Sequence, residues 1–312
     1  MSLTDVEISA FDASFRSPEA SQSLLENCRL RRLTVCGVFE RITHVDDDTA
    51  RMLTLLLRLP TLNILAFDVD TLRATISNVC LLRPPIERFT IYALNDSLAR
   101  DFHWHRALEV SLRVLGDTLK RVCIRTLSDP TTISALILPQ LQAFEGPLSL
   151  FYDFEEDTLR GLTILIVTET LCEPLRFVEY VERSHGLPAM KSLHLNVVDL
   201  EPPLLTRLIR LVPDIEKFHI ESAYSDVAQA VELTHICFLP HLEEFNLFGF
   251  ALAQTSSVEE AFLDLLLTGL KHESCPHLIR ARFAYNRVWL WTSRSRWIGV
   301  DERALTIEES LE

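Results

Sequence analysis

Apolar residues recur along this chain in one short pattern, apolar-x-x-apolar-x-apolar, whose residues we number as positions 1 to 6 of a repeat. The mean spacing from the first occurrence to the eleventh is 27.5 residues, inside the range of about 20–29 residues typical of leucine-rich repeats. Position 1 lies at Leu3, Leu30, Leu62, Ile86, Leu119, Leu141, Leu159, Met190, Ile215, Leu242 and Leu278. The pattern therefore predicts a series of short strands joined by longer connections.

The polar positions of the repeat are as informative as the apolar ones. At positions 1, 4 and 6, 32 of 33 residues are apolar, whereas at positions 2, 3 and 5 only 5 of 33 are, in a chain that is 48% hydrophobic. Side chains alternate between the two faces of a strand. We therefore expect positions 4 and 6 to enter the core, position 1 to fill the preceding turn, and positions 3, 5 and 7 to share the opposite face.

Proline and helical patterns mark the connections between the strands. Half of the 14 prolines stand two residues before position 1, where they end a preceding helix. They are Pro60, Pro84, Pro139, Pro188, Pro213, Pro240 and Pro276. Apolar spacing of three and four residues predicts helices within 46–59, 95–116, 168–186 and 256–272. The 18-residue step between Leu141 and Leu159 leaves little room, so we expect a loop over 146–158.

These elements predict an α/β fold of the leucine-rich-repeat solenoid type. Strands stack about 4.8 Å apart and helices about 8–10 Å apart, so a curved parallel sheet lines the concave side and helices and loops the convex side. We assign residues 1–286 to an irregular solenoid of about eleven repeats, and 287–312 to a C-terminal cap and acidic tail. Trp289, Trp291 and Trp297 are expected to cap the last repeat, and an aromatic patch for a partner is the alternative.

The repeats resemble those of leucine-rich-repeat proteins of the ribonuclease-inhibitor-like type. The stretches "LPQLQAFEGPLSL" and "LRGLTILI", with the recurring LP-x-L-x-x-L-x-L, are more similar still to the repeat arms of mushroom-type fungal F-box proteins. This resemblance extends from Leu3 to about Asn286 and implies substrate recognition in a ubiquitin-ligase context. No Leu-Pro-led helical segment of the F-box type precedes Leu3, so no F-box residues carry over and docking to a ligase adaptor is not implied.

The first repeat begins two residues after the initiator methionine. A solenoid end needs a polar cap over its core, and this start leaves no room for one. We therefore expect the chain to be the repeat half of a longer ancestor, or its first strand to be covered by a partner or dimer mate.

Charge and composition narrow the choice of partners. The formal net charge of −14 disfavours binding to nucleic acid or anionic membranes, which both attract basic surfaces. No apolar run approaches the about 18 residues of a membrane span, and the N-terminus lacks a secretory signal. Seven cysteines without paired short spacing favour reduced thiols. We expect an intracellular protein, cytoplasmic or nuclear.

Common catalytic motifs are missing from the sequence. GxGxxG, GxxxxGK, GxSxG and HExxH do not occur, so we predict a non-catalytic protein without a cofactor. Two neighbouring repeats nevertheless hold six side chains of zinc-ligand type: His235, Cys237, His241, His272, Cys275 and His277. Zinc would accept these groups. Their spacing matches no known finger, so we predict packing and turn residues rather than a metal site.

The concave strand face is the best candidate for binding. Arginine and aromatic side chains anchor protein interfaces, and twelve residues at positions 3, 5 and 7 suit that role: Arg32, Arg88, Tyr92, Arg121, Arg125, His194, Asn196, His219, Glu221, Glu244, Asn246 and Phe248. We predict a scaffold that captures a protein there. A solvent-facing strand surface without function explains the same residues. The alternatives are a structural or oligomerising module, and an enzyme whose site lies in 146–158.

Overall fold

The computed structural model describes residues 5–9, 29–36, 54–92, 102–125, 135–198, 201–225, 239–250, 264, 267–272, 274–284, 287–293 and 295–301. The chain forms two compact units, Met1–Gly161 and Leu162–Glu312, each of which is mixed α/β with a mostly parallel sheet. We refer to them as the first and the second unit.

Six parallel strands in sequence order are described in the first unit, each beside the next. They are β1 Asp5–Ser9, β2 Arg32–Cys36, β3 Ile64–Asp68, β4 Arg88–Tyr92, β5 Arg121–Arg125 and β6 Ala143–Gly146. The helices are α1 Val69–Leu82, α2 Phe102–Leu115, α3 Leu148–Phe151 and α4 Glu156–Arg160, and residues 54–57 are also helical. Helix α1 packs against β3, β4 and α2.

The second unit begins with five parallel strands and ends with two antiparallel ones. Its elements are β7 Ile164–Leu171, α5 Pro174–Arg183, β8 Ser192–Val197, α6 Pro202–Leu211, β9 Lys217–Ser225, β10 Glu244–Phe250, β11 Arg280–Ala284, β12 Arg287–Trp291 and β13 Trp297–Asp301. Residues 267–272 are helical. Strands β7 to β11 pair in sequence order, and β12 and β13 then add an antiparallel extension.

In eight of the described repeats, one carbonyl group connects the repeat to the next. The carbonyl oxygen at position 2 accepts the N–H groups of positions 2 and 3 of the following repeat. In the first unit, the Glu87 oxygen accepts from Lys120 at 2.8 Å and Arg121 at 2.9 Å. In the second, the Lys191 oxygen accepts from Glu216 and Lys217, both at 2.8 Å. These bonds keep position 3 of neighbouring strands in register.

The prolines before the strands occupy tight turns. The N–H of Leu62 donates to the carbonyl of Leu59 at 3.1 Å, which places Pro60 second in a four-residue turn. Proline suits that place because its ring fixes φ and it has no N–H to satisfy. The same bond joins Met190 to Leu187 around Pro188 at 3.0 Å. Where it occurs in this form, the proline signal therefore marks a turn that leads into a strand.

Outside the seventh repeat, the predicted core positions are buried in both units wherever the structure describes their side chains. Leu30, Leu33 and Val35 of one repeat are 0% exposed, and so are Phe218 and Ile220 of another. Burial of such a side chain contributes roughly 1.5–3 kcal/mol before conformational entropy offsets most of it. The side chains of positions 1, 4 and 6 therefore form the inner face of each sheet, as the sequence predicts.

The seventh repeat begins at Leu162, three residues later than predicted. Leu159 belongs to α4, whereas Leu162, Leu165 and Val167 take the buried positions 1, 4 and 6. The carbonyl of Thr163 makes the position 2 bonds to the following repeat. The segment "LRGLTI" has polar residues at positions 2 and 5, which favoured a start at Leu159. The segment "LTILIV", which starts at Leu162, is the one that pairs with β8.

The helix predictions hold in part. Helix α2 confirms the helix within 95–116, whereas the expected loop over 146–158 is wrong because α3 and α4 lie there. Residues 168–171 belong to β7, and the helix of that segment starts at Pro174, where the missing N–H costs no helical bond. Helices α1 and α6 were not predicted.

Helix α1 is capped by the end of the preceding strand. Asp68 is the last residue of β3, and its carboxylate accepts the N–H of Thr71 at 2.6 Å. An acceptor at this place satisfies a free amide of the first turn. The side chain at position 7 of this repeat, Asp68, therefore caps helix α1 instead of contributing to the open strand face.

Candidate binding faces of the two units

Positions 3, 5 and 7 line one face of each sheet, which we call the outer strand face of that unit. The predicted binding residues all lie on strands at these positions. The structure assigns Arg32, Arg88, Tyr92, Arg121 and Arg125 to the first unit. It assigns His194, Asn196, His219, Glu221, Glu244, Asn246 and Phe248 to the second unit.

Arginines share one row on the first outer strand face. The register runs from Arg32 through Ile64 to Arg88 and Arg121, so the last two face each other on β4 and β5. All three arginines are exposed. Four residues further along the strands, half-buried Tyr92 lies opposite exposed Arg125. The structure therefore brings these predicted residues together.

Glu145 is a residue of this face that the sequence analysis missed. Its Oε1 accepts a hydrogen bond from Arg125 Nε at 2.8 Å, and its Oε2 lies 3.8 Å from Arg121 Nη2. The Glu145 side chain is only 12% exposed. It stands at position 5 of β6, so the repeat numbering already marks it as an outer-face residue.

Cys123 lies on β5 opposite Glu145 of this charged group. Burial, and next to it the negative charge of Glu145, raise the pKa of the thiol to about 11. The nucleophilic form of cysteine is the thiolate, so Cys123 stays protonated and unreactive at neutral pH.

The second outer strand face carries histidine, amide and carboxylate groups in three rows. Strands β8, β9 and β10 align His194, His219 and Asn246 at position 5. In the row of position 7, Asn196 lies opposite Glu221, and Glu221 opposite Phe248. Phe248 lies outside the residues whose side chains the structure describes.

The two histidines of this face contact each other and a carboxylate each. The rings of His194 and His219 lie 5.6 Å apart at an interplanar angle of 60°. Nε2 of His194 is 3.7 Å from Glu221 Oε1, and Nε2 of His219 is 3.6 Å from Glu244 Oε2. Protonation of either ring therefore creates an ion pair within the face.

Asn246 is a buried neighbour of His219 in this group. Its Nδ2 lies 2.8 Å from His219 Nε2, to which it donates when that nitrogen is the acceptor of the ring. Asn246 is only 6% exposed, and its Oδ1 is buried without a hydrogen-bond partner among the described residues. Asn246 is therefore a buried neighbour of His219 and does not present its amide to a partner.

Glu244 is the most strongly perturbed acid of the face. The His219 imidazole first, and then Lys217 and Arg280, lower its pKa to about 2 against the opposing effect of burial. Lys217 Nζ donates to Glu244 Oε1 at 3.3 Å across the strand pair. Glu244 is therefore ionised at neutral pH and holds its neighbours in place.

Three basic residues of this face were not among the predicted set. Lys217 and Arg280 lie beside Glu244 at position 3, and Arg282 lies beside Asn246 at position 5. The same position rule identifies them in the sequence. The opposing signs on β9 and β10 become visible only when the register is known.

The two short His/Cys stretches come together in part. His241 and His277 stack with ring centroids 6.5 Å apart, as their shared repeat position suggests, and His241 Nε2 lies 3.9 Å from Asp214 Oδ1. His272 packs against Trp291 instead, and Cys275 is buried. His235 and Cys237 lie outside the described residues. Within the described part of the chain, no three ligand side chains form a group that suits a metal.

The C-terminal tryptophans form a small aromatic group. Trp289 and Trp297 are buried, and the ring of Trp291 lies 5.4 Å from that of Trp297. Lys271 Nζ lies 5.6 Å from the Trp291 ring, a distance that suits a cation–π contact. These rings belong to the antiparallel extension, and residues 302–312 of the predicted tail lie outside the described residues.

No protein-family model matches the chain, and no curated protein matches it. The leucine-rich-repeat and F-box assignments therefore stay predictions. Among the described residues, no helix combines the length and apolar character that crossing a bilayer requires.

Proposed function

We propose that this chain is an intracellular, non-catalytic scaffold of the leucine-rich-repeat solenoid type that binds a protein partner on its outer strand faces. The observation that carries the proposal is the register of Arg88 opposite Arg121 on β4 and β5. Like charges directly opposite each other destabilise a sheet. A strand surface that keeps two such arginines exposed is therefore better explained by ligand binding than by a contribution to folding stability.

The inner and outer faces of each repeat have different roles. Core residues such as Phe89 are 1% exposed and supply stability, whereas the outer-face residues Arg88 and Arg121 are charged and exposed. Arginine with an aromatic neighbour, as in Arg125 opposite Tyr92, is typical of protein interfaces. As the resemblance to fungal F-box repeat arms implies, we propose the captured protein to be a ubiquitination substrate.

Photo-crosslinking from defined positions tests the proposal. A photo-reactive amino acid replaces Thr90 or Asn196 on the outer strand faces, or Ser77 or Glu179 on helices α1 and α5. Thr90 and Asn196 are half-buried, and the two helical positions are exposed. We expect the strand probes to crosslink proteins from a cell extract, as identified by mass spectrometry, and the helical probes to crosslink none of them.

The same experiment distinguishes the scaffold from an oligomerising module. Crosslinks only between copies of this chain, with a mass in light scattering above that of one chain, contradict the proposal. Partner crosslinks from Ser77 or Glu179 alone also contradict it, because they place the partner on the helices. Recovery of a ligase adaptor among the crosslinked proteins supports the F-box context.

A further inference from the structure

We infer that the first outer strand face binds an acidic, extended protein segment, with Arg88 and Arg121 as its anchors. The inference rests on the proposed function and adds the chemistry of the partner. Both guanidinium groups belong to exposed side chains in one cross-strand row, and Arg32 continues that row two strands away. Carboxylates match guanidinium groups because each pair can form two parallel hydrogen bonds.

The charges of this row are only partly balanced within the unit. Glu145 is shared between Arg125, at 2.8 Å, and Arg121, at 3.8 Å. Glu87 pairs with Lys120 at 2.8 Å, on the turn before the strand. The backbone N–H of Arg88 donates to the carbonyl of Asn63 at 3.0 Å, but its guanidinium group has no hydrogen bond or ion pair among the described residues. One more carboxylate near Arg88 and Arg121 would relieve their mutual repulsion.

The second outer strand face places a carboxylate between basic residues instead of two arginines side by side. At the equivalent positions Lys217 faces Glu244, and their side chains are bonded at 3.3 Å. The His219 ring adds a further partner to Glu244 at 3.6 Å. Glu244 therefore has a basic residue opposite it on each side, Lys217 and Arg280, whereas Arg88 and Arg121 lie directly opposite each other. The first face is thus the one with more attraction left for an acidic ligand.

Distance and overall charge favour a short peptide segment over a nucleic acid. Neighbouring strands lie about 4.8 Å apart, and alternate residues of an extended peptide repeat about every 6.7 Å, which flexible arginine side chains can span. The chain carries a net charge of −14, which repels a long polyanion. A few carboxylates held against a local row of arginines avoid most of that repulsion.

Fluorescence anisotropy with the 312-residue chain tests the inference. The probe is a labelled twelve-residue peptide of alternating glutamate and serine, compared with glutamine–serine and lysine–serine peptides and a twelve-nucleotide oligothymidine. We expect the glutamate peptide to bind most tightly and to weaken as salt rises. In Arg88→Gln/Arg121→Gln, its affinity should fall by about tenfold or more.

Matched variants distinguish an effect of the arginine row on peptide binding from an effect of the total charge of the chain. Arg113→Gln/Arg160→Gln removes two exposed arginines from α2 and α4 and should leave the affinity unchanged. Arg88→Lys/Arg121→Lys keeps the charge and should retain more affinity than the glutamine pair. Circular dichroism verifies that each variant is folded, which the exposure of these side chains leads us to expect.

Several outcomes overturn the inference. They are equal binding of the glutamine peptide, tighter binding of the oligothymidine, or an equal loss in the Arg113/Arg160 control. If strand-face crosslinking succeeds but the glutamate peptide fails to bind, the proposed function stands and this inference falls. If the partner crosslinks only from the helices, the proposed function itself fails.

Discussion

The outer strand faces of the two units use the same position of the repeat in opposite ways. At position 3, Arg88 of the first unit faces Arg121, whereas Lys217 of the second unit faces Glu244. The backbone places both pairs directly opposite each other. The side chains alone decide whether a row is balanced in itself or keeps charge for a partner.

The inner faces of the same strands show no such difference. Phe89 and Phe218 both stand at position 4 and are at most 1% exposed. Stability thus comes from equivalent positions in the two units, while the chemistry of their outer faces has diverged. The following predictions probe that separation.

The largest expected effect tests the equivalence of the inner faces. Phe89→Ala and Phe218→Ala should each lower the free energy of unfolding by about 3–5 kcal/mol, because each leaves a cavity in a packed core. Urea unfolding followed by circular dichroism measures this loss, with Thr90→Ala as the outer-face control. A loss below about 1 kcal/mol at either phenylalanine would show that its unit is not held by this position.

A smaller effect tests the balanced network of the second face. The pKa of Glu244 is about 2 in the folded chain against an ordinary value of 4.5. Its contribution is therefore complete above pH 4.5 and is lost as the pH falls through 2. Glu244→Gln should cost up to about 3 kcal/mol at neutral pH and almost nothing near pH 2.

Urea unfolding of wild type and Glu244→Gln between pH 2 and 7 measures that difference. Glu173→Gln is the control, because the Glu173 side chain is 70% exposed and lies 3.7 Å from Arg176. A difference between wild type and Glu244→Gln that stays constant over this pH range would contradict an ionised, paired Glu244.

The smallest expected effect has opposite signs in the two units. Arg88→Gln removes a like-charge pair and should stabilise the chain by about 0.2–1 kcal/mol. Lys217→Gln removes the partner of Glu244 and should destabilise it by about 0.2–1 kcal/mol. Thermal unfolding at low and high salt measures both, and the two shifts should shrink as salt rises. If both variants changed the melting temperature in the same direction, the proposed difference in charge pairing between the two faces would be contradicted.

Sequence reasoning succeeded where local and tertiary requirements coincide. A buried leucine at position 1 and a proline two residues before it are both needed for the turn that starts a strand, as at Leu62 and Pro60. It failed at Leu159 because Ile164 and Ile166 are apolar residues at nominally polar positions. The structure distinguishes Leu162 as the start, because Leu159 belongs to α4 and the carbonyl of Thr163 makes the position 2 bonds to the next strand.

The candidate site was predictable by position but not by pairing. Positions 3, 5 and 7 identify Arg88 and Arg121, and by the same rule Glu145 and Lys217. Which of them meet depends on strands brought together across connections of unequal length. The helix after β3 was missed because its capping residue, Asp68, is the last residue of the strand before it.

The sequence by itself determined the alternation of buried and open positions, and with it the order of the strands and the face on which each side chain stands. That much follows from the two-residue period of a strand and from the burial of apolar groups. Tertiary structure decided which charges meet. Cross-strand contacts join residues 20 to 33 positions apart, and no local pattern encodes whether arginine will face arginine or lysine will face glutamate.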